Sequence, residues 1–171
     1  MEFLLDANVL IDANRDYYAI DSVPEFWEWL SYHGDLGNVK IPIEIYEELT
    51  QGNDALANWA KRSEIKNALL LSDDVEIGLV QKVVREGYAD DLDDTEVDQL
   101  GRDPFLIARG LITTAINQRC IVTTESSKPS KTRSKRKIPD VCAALGIACC
   151  NSYEFFKLLK FKTDWEARLS D

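Results

Sequence analysis

Three acidic residues of this sequence stand where an α/β protein would bring chemically active groups together. Asp6 directly follows an apolar run at residues 3–5, and Glu125 directly follows the β-branched run at 121–124. Asp103 precedes Pro104 at the start of a strongly apolar helical pattern. A carboxylate beside a core is costly unless something pairs with it. Several carboxylates on one rim predict a bound hard cation such as Mg²⁺, which prefers carboxylate oxygens and keeps several waters.

A fourth carboxylate comes from a helical stretch that holds three glutamates, "IEIYEEL". Ile45 and Leu49 mark its buried stripe, and at 100° per residue Glu47 then points into solvent. Glu48 lies on the flank of the stripe, with Glu44 on the same flank one turn earlier. We expect Glu48 to face the site, with Glu44 as the less favoured alternative.

Each of these acids also has a purely structural explanation. Asp6 and Asp103 are residue types favoured at helix N-caps, and Glu125 is an acceptable surface residue before a loop. Asp140, in "IPDV", is a fifth candidate, although its place in the first turn of a helix is explained by the helix dipole. The metal-site interpretation rests on the joint placement of these acids at one rim.

The elements that must position these residues alternate between strands and helices. Five stretches read as strands: "EFLLDA", "NVKIP", "ALLL", "CIVTTE" and "IACC". They are apolar throughout, which predicts an α/β fold with a parallel sheet covered on both faces by helices. In such sheets, sites gather at the carboxyl ends of the strands. Asp6 and Glu125 are therefore expected on the same rim.

The segments between the strands carry more local signals. "ALANWAKRSEI" reads as continuous helix, "DPFLIARGLITTAI" as one apolar helix, and residues 89–102 as acidic and turn-like. Gly146 is expected to close the helix "IPDVCAALG". Asn151, with Glu154 three residues later, predicts a capped helix start.

Composition narrows the functional classes. A formal net charge of −10 taken alone argues against nucleic acid. Four cysteines without a C-x-x-C spacing, and a single histidine, make a zinc site unfavourable. No signal-peptide pattern and no apolar run long enough to span a bilayer are present, so we expect a cytoplasmic protein with no membrane partner.

Four stretches, in order, resemble the PIN-domain nucleases: "LLDANVLIDA", "IPIEIYEEL", "DPFLIARGL" and "CIVTTE". Those proteins are metal-dependent ribonucleases, and many are toxins of bacterial toxin–antitoxin pairs. "KIPDVC" points to a subgroup of bacterial PIN-like proteins. The resemblance implies a three-layer sandwich whose central parallel sheet has the strand order 3-2-1-4-5. It also implies a nuclease domain at residues 1–159, which leaves 160–171 as a C-terminal tail.

The resemblance further implies roles for particular residues. The implied catalytic acids are Asp6, Glu48, Asp103 and Glu125. The implied ligands of Mg²⁺ or Mn²⁺ are Asp6, Asp103 and Glu125, with Asp140 as a residue that shares or replaces the role of Glu125. The implied polar supports are Asn8 and Thr123. The sequence departs from the family at Glu125, where an aspartate is usual, and in the basic insertion that follows.

That basic insertion, "SSKPSKTRSKRK" at residues 126–137, contains no acid. Its cations are Lys128, Lys131, Arg133, Lys135, Arg136 and Lys137. A solvated flexible loop would explain it, but its position directly after Glu125 suits a segment that binds RNA phosphates. The acidic stretch 90–103 is either an exposed loop or a docking surface for a basic antitoxin segment or for the insertion itself.

The leading functional hypothesis is a metal-dependent endoribonuclease that hydrolyses RNA phosphodiesters and acts as the toxin of a toxin–antitoxin pair. The resemblance implies products with 5′-phosphate and 3′-hydroxyl ends. Expected partners are the RNA substrate, an antitoxin protein and a second copy of the chain. The first alternative is a non-catalytic PIN-like module that binds RNA or protein. A phosphatase with Asp6 as nucleophile is disfavoured because Asn8 stands where such enzymes commonly need a second aspartate.

Overall fold

The described part of the chain is an α/β fold built on one five-stranded sheet. The computed structural model describes residues 1–112 and 118–164. Its strands are β1 (Glu2–Leu5), β2 (Val39–Pro42), β3 (Leu70–Leu71), β4 (Arg119–Val122) and β5 (Ala148–Cys150). All four neighbouring pairs are parallel, in the order β3-β2-β1-β4-β5, which confirms the predicted strand order.

Ten α-helices are found among the same residues. They are α1 (Ala7–Asp12), α2 (Pro24–Asp35), α3 (Ile43–Thr50), α4 (Ala55–Ala60), α5 (Ser63–Leu69), α6 (Ile77–Lys82), α7 (Asp94–Leu100), α8 (Asp103–Leu111), α9 (Ile138–Leu145) and α10 (Ser152–Leu158). Helices α1 and α6 continue into π-helical turns at Ala13–Tyr17 and Val83–Tyr88. No helix of the described residues has the length and apolar character needed to cross a membrane.

The expected helix ends are confirmed for the last two helices. Gly146 closes α9 with a φ of 69°, in the left-handed region where glycine carries no Cβ penalty. Asn151 begins α10 through a reciprocal capping box with Glu154.

Three local predictions differ from the structure. The continuous helix expected over "ALANWAKRSEI" is broken between α4 and α5, because Arg62 takes an extended conformation with ψ 138°. The acidic stretch expected to be turn-like contains helix α7, which Asp93 and Glu96 start with a capping box. The apolar helix expected to reach residue 116 is α8, which ends at Leu111, and residues 113–116 lie outside the described part.

Helices cover both faces of the sheet. Phe3 of β1 contacts Phe155 of α10, with 5.2 Å between ring centroids. On the other face, Ile121 of β4 lies against Gly110 of α8, where an added Cβ would come within 3.0 Å of the Ile121 side chain. Glycine is therefore needed for α8 to approach the sheet this closely, and the result is the expected arrangement of helix, sheet and helix.

An aromatic cluster joins the end of the described chain to the α2 and α10 face. The ring of Phe161 lies 5.0 Å from that of Trp29 and 5.3 Å from that of Phe26. Phe26 and Trp29 are fully buried on α2. The chain is thus packed on the domain at residue 161, two residues beyond the boundary expected at 159.

Candidate functional site

Asp6 is the buried centre of the candidate site. It follows β1, its backbone N–H donates to the carbonyl of Val122 at 3.0 Å, and the residue is only 5% exposed. Thr123 Oγ1 donates a hydrogen bond of 2.8 Å to Asp6 Oδ2. The same hydroxyl oxygen accepts the backbone N–H of Glu125 at 3.2 Å. Thr123 therefore orients the Asp6 carboxylate directly and also binds the backbone of Glu125.

Asp6 forms no ion pair with any residue in the ranges 1–112 and 118–164. Burial raises the pKa of Asp6 against the opposing effect of the Thr123 hydrogen bond. The carboxylates of Glu125 and Glu48 raise this pKa further. The side-chain hydrogen-bond partner of this buried acid is thus a neutral hydroxyl.

Asp103 is the second buried acid of the site. It is the first residue of α8, whereas the N-cap is Arg102, so the structural explanation of Asp103 as an N-cap is wrong. Burial raises the pKa of Asp103 to about 7, and the carboxylates of Asp6, Glu125 and Glu48 add to this rise. The structure therefore brings the four acids Asp6, Glu48, Asp103 and Glu125 within electrostatic reach of one another.

Glu125 is held by the start of α9. Its Oε1 pairs with the Lys137 ammonium group, and its Oε2 accepts the backbone N–H of Ile138 at 2.8 Å. Lys137 also lowers the pKa of Asp103, so its positive charge extends across the site. Both oxygens of Glu125 are thus engaged within the chain.

The three glutamates of α3 have three different environments. Glu44 forms a bidentate pair with the buried guanidinium of Arg109, at 3.2 Å between Oε1 and Nη2. Glu47 is exposed and lies 3.5 Å from the guanidinium of Arg102. Glu48 is exposed, and its charge is felt by both buried acids. This placement agrees with the preference for Glu48 and gives Glu44 a structural role.

Asp140 has hydrogen-bond partners of its own in the preceding loop, whereas the backbone of Asn8 forms a hydrogen bond that lowers the pKa of Asp6. Both oxygens of Asp140 accept hydrogen bonds from the preceding loop, from Ser127 Oγ and from the backbone N–H of Lys128 at 2.8 Å. The Ser127 hydrogen bond lowers the pKa of Asp140. Asp140 thus fastens the loop to the first turn of α9, and Asn8 is exposed in the first turn of α1.

The basic insertion is bound to the rest of the domain. The Arg133 guanidinium donates to both carboxylate oxygens of Glu96, at 2.7 and 2.6 Å, and to Asp91 Oδ1 at 2.6 Å. Arg136 donates to the carbonyls of Gly87 and Asp140. Three of the six expected RNA-binding cations are thus occupied internally: Arg133, Arg136 and Lys137. The other three are exposed: Lys128, Lys131 and Lys135.

The donor set suits a hard cation, but the side chains are not gathered around one position. The carboxylates of Glu48 and Glu125 raise the pKa of Asp6 and of Asp103, and a divalent cation would relieve that repulsion. In the described ranges 1–112 and 118–164, however, no three acid, histidine or cysteine side chains are spaced to hold an ion. A bound ion would therefore require rearrangement of exposed Glu48 or release of Glu125 from Lys137.

Two functional contacts were missed by sequence reasoning. Lys137 was predicted to bind RNA, and its pairing with Glu125 depends on how the insertion folds back. Arg109, in the apolar pattern "LIARGL", was not singled out, although an arginine within such a pattern signals a buried ion pair. Its partner Glu44 lies 65 residues earlier, so spacing along the chain gives no sign of the pair.

Comparison with known proteins places this chain in a family. A family model described as "Domain of unknown function (DUF4411)" matches residues 3–163. The chain belongs to the DUF4411 family. The match covers the four acids of the site and the five strands except for Glu2, the first residue of β1. No curated protein and no solved structure matches the chain.

Proposed function

We propose that the protein is a metal-dependent endoribonuclease that hydrolyses RNA phosphodiesters at the Asp6 site. The observation that carries the proposal is that the charges of Glu48 and Glu125 act on two buried acids, Asp6 after β1 and Asp103 at the start of α8. The parallel sheet in the order 3-2-1-4-5 and the PIN-like motifs at these acids support the same activity. RNA as the substrate, and 5′-phosphate products, follow from the resemblance to PIN-domain nucleases.

Asp6 and Asp103 are the residues that would hold Mg²⁺ or Mn²⁺, with Glu48 and Glu125 at the edge of the site. When bound, such an ion would supply an activated water and stabilise the leaving oxygen. Thr123 keeps the Asp6 carboxylate in one orientation through its 2.8 Å hydrogen bond. Lys137 offsets one negative charge of the site beside Glu125, which lowers the repulsion that a substrate phosphate would meet.

The direct test is RNA cleavage by the Asp6→Asn variant with Mg²⁺ or Mn²⁺. Removing this charge keeps side-chain size, and we expect activity to fall by at least about a thousandfold, or about 4 kcal/mol of barrier. Asp35→Asn is a matched control, because Asp35 is exposed at the end of α2. Equal cleavage by the two variants would refute the proposal.

A non-catalytic RNA-binding module is the second candidate, and the pairing of Glu125 with Lys137 favours it. Such a module would bind RNA with or without a divalent ion. RNA binding that survives Asp6→Asn, together with no cleavage by the wild type in Mg²⁺ or Mn²⁺, would support this candidate over the nuclease.

A role as the toxin of a toxin–antitoxin pair rests on the resemblance alone. If it holds, expression of the wild type should arrest growth of a bacterial host, and expression of Asp6→Asn should not. A co-expressed small partner that restores growth and co-purifies with the chain would be the antitoxin. Gel filtration of the purified chain would show whether a homodimer forms.

A further inference from the structure

A groove begins next to the sequence neighbours of Glu125. Its lining is aromatic and basic, whereas the candidate site is acidic. The groove begins as a cleft of about 370 Å³ beside Thr124 and Ser126, the two neighbours of Glu125. A second cleft of about 600 Å³ continues from it, since Tyr18, Tyr153 and Phe156 line both. We call the two together the aromatic groove.

Exposed aromatic rings line its first part. Tyr17 is 61% exposed and Tyr153 is 70% exposed. Tyr18 lies beneath them, stacked on the buried ring of Phe26 at 4.6 Å. Two acids line this cleft, Asp12 and Asp16, and both pair with Arg15. The cleft therefore offers aromatic surface beside a net charge of about −1, because one arginine pairs with both acids.

Lysines line its second part. Lys157, Lys160 and Lys162 are exposed there, and they form no ion pair with any residue in the ranges 1–112 and 118–164. They differ in this respect from Arg133 and Lys137 of the basic insertion, which are paired within the chain. In a chain with a net charge of −10, three unpaired lysines on one cleft are a local positive surface.

The backbone at Lys160 adds an independent observation. Helix α10 ends in a Schellman turn, in which Phe161 N–H donates to Phe156 O at 2.8 Å and Lys160 N–H donates to Lys157 O at 3.2 Å. Lys160 occupies the left-handed position of this turn with a φ of 55°. Glycine is the usual residue at such a position because it avoids the Cβ penalty. Lysine at this position carries a Cβ penalty that a binding role of its side chain would offset.

We propose that the aromatic groove binds single-stranded RNA, with bases stacked on Tyr153 and Tyr17 and phosphates bound by Lys157, Lys160 and Lys162. Aromatic rings beside unpaired cations are the combination that single-stranded nucleic acids require. The groove begins at Thr124 and Ser126, which flank Glu125 in the sequence. The inference rests on the proposed function and specifies its substrate as an unpaired strand.

The test is binding of a fluorescent single-stranded RNA in EDTA, measured by anisotropy across a salt series. The triple variant Lys157→Gln, Lys160→Gln, Lys162→Gln should bind more weakly, and its log–log salt slope should fall by roughly 0.7 for each lost phosphate contact. The matched control is Lys61→Gln, Lys66→Gln, Lys82→Gln. It removes the same charge from exposed lysines that line neither cleft and should keep the wild-type slope.

Two single substitutions separate the contributions. Tyr153→Ala should weaken binding by roughly 5- to 100-fold, whereas Tyr153→Phe keeps the ring and should bind like the wild type. Lys160→Gly should raise the melting temperature, because it relieves the positive φ, and should still weaken RNA binding. Loss of binding with a gain in stability excludes unfolding as the cause.

The outcomes distinguish the groove from the proposed function. Cleavage of RNA by the wild type, with groove variants that bind and cleave equally well, overturns the groove and leaves the nuclease standing. Equal weakening by the two triple variants also overturns it, because binding then follows net charge alone. No binding and no cleavage by the wild type would overturn both, and the groove would then serve another partner.

Discussion

Ionisation of Asp103 lowers the free energy of unfolding of the protein. Burial and three neighbouring carboxylates raise its pKa from an ordinary value of 3.8 to about 7, so folding favours its protonated form. A carboxylate whose pKa is raised in the folded state destabilises the fold when ionised. That penalty is absent below pH 3.8, develops as the pH rises towards 7, and is complete above it.

Asp103→Asn should therefore stabilise the metal-free protein at pH 8. A rise of about three pKa units corresponds to about 4 kcal/mol as an upper bound. We expect the gain in free energy of unfolding to shrink as the pH falls and to vanish near pH 4. Urea unfolding of both proteins in EDTA at pH 4, 6 and 8 measures it. A gain of the same size at every pH would mean that charge is not the cause.

Glu48 and Glu47 are neighbours on α3 that allow a second prediction. Glu48 acts on the buried acids, whereas Glu47 faces Arg102 at 3.5 Å. Glu48→Gln should lower RNA cleavage by about a hundredfold or more, or about 3 kcal/mol of barrier. Glu47→Gln should leave it unchanged. Initial rates for both variants under saturating Mg²⁺ decide the matter, and a larger loss for Glu47→Gln would remove Glu48 from the site.

Residue placement was predictable where one helix or strand decided it. Glu48 could be separated from Glu47 because both lie on one amphipathic helix, whose geometry fixes direction. The sequence alone could not decide whether Glu48 or Glu44 faces the site. Glu44 is taken by Arg109, a partner on another helix 65 residues away, and only the folded chain reveals such a pair.

Helix α7 and the basic insertion act as one connected unit. The insertion contributes a 3-10 turn at Arg133–Lys135, and Arg133 has a positive φ of 55°. This unfavourable backbone is held by the hydrogen bonds of Arg133 to Glu96 and Asp91. Ser134 adds a bond of 3.0 Å to Gln99. The acidic stretch expected as an exposed loop or docking surface is thus occupied by the insertion.

This unit should be sensitive to acid and salt. The Arg133 hydrogen bond lowers the pKa of Glu96 to about 2 from an ordinary value of 4.5. Its stabilising effect is therefore full above pH 4.5 and is lost as the pH falls towards 2. Glu96→Gln should lower the melting temperature at pH 7 and have little effect at or below pH 2, while high salt should reduce the difference.

The control for this measurement is Arg85→Gln, which removes an exposed contact of 3.5 Å between sequence neighbours. Exposed pairs of that kind contribute little to stability, so its melting temperature should follow the wild type throughout. A pH-independent effect of Glu96→Gln would assign its role to the capping of α7 instead.

Helices and strands that a local sequence pattern determines were predictable. Those that depend on an exposed cap or on one residue's conformation were not. The parallel sheet followed from apolar strands alternating with helices. Helix α7 was missed because its exposed, acidic sequence lacks an apolar stripe, although "DDTE" holds the capping box that starts it. The break between α4 and α5 depends on one extended residue, Arg62, which no pattern marks.

The buried side chain of Arg109 contacts two segments that lie far from it in the sequence. Its buried guanidinium pairs with Glu44 of α3 and donates to the carbonyl of Asp73, in the segment after β3. Removing one member of a buried pair leaves the other charge without compensation. Arg109→Met should therefore lower the free energy of unfolding by about 3–5 kcal/mol.

The double variant Arg109→Met, Glu44→Met tests the origin of that loss. It removes both charges and should be more stable than Arg109→Met alone. Denaturant unfolding of the two single variants and the double variant gives the coupling energy directly. Strict additivity would show that Arg109 acts through packing and its bond to Asp73 rather than through Glu44.

The central strand β1 is the first to be synthesised, but it is completed by residues made much later. Asp6 receives its backbone partner from Val122 and its side-chain partner from Thr123. A growing chain on the ribosome therefore carries Asp6 without the rest of its site until residue 125 has emerged. If the proposed function holds, cleavage of RNA by this chain therefore requires that synthesis has passed residue 125, and the chain is inactive before that point.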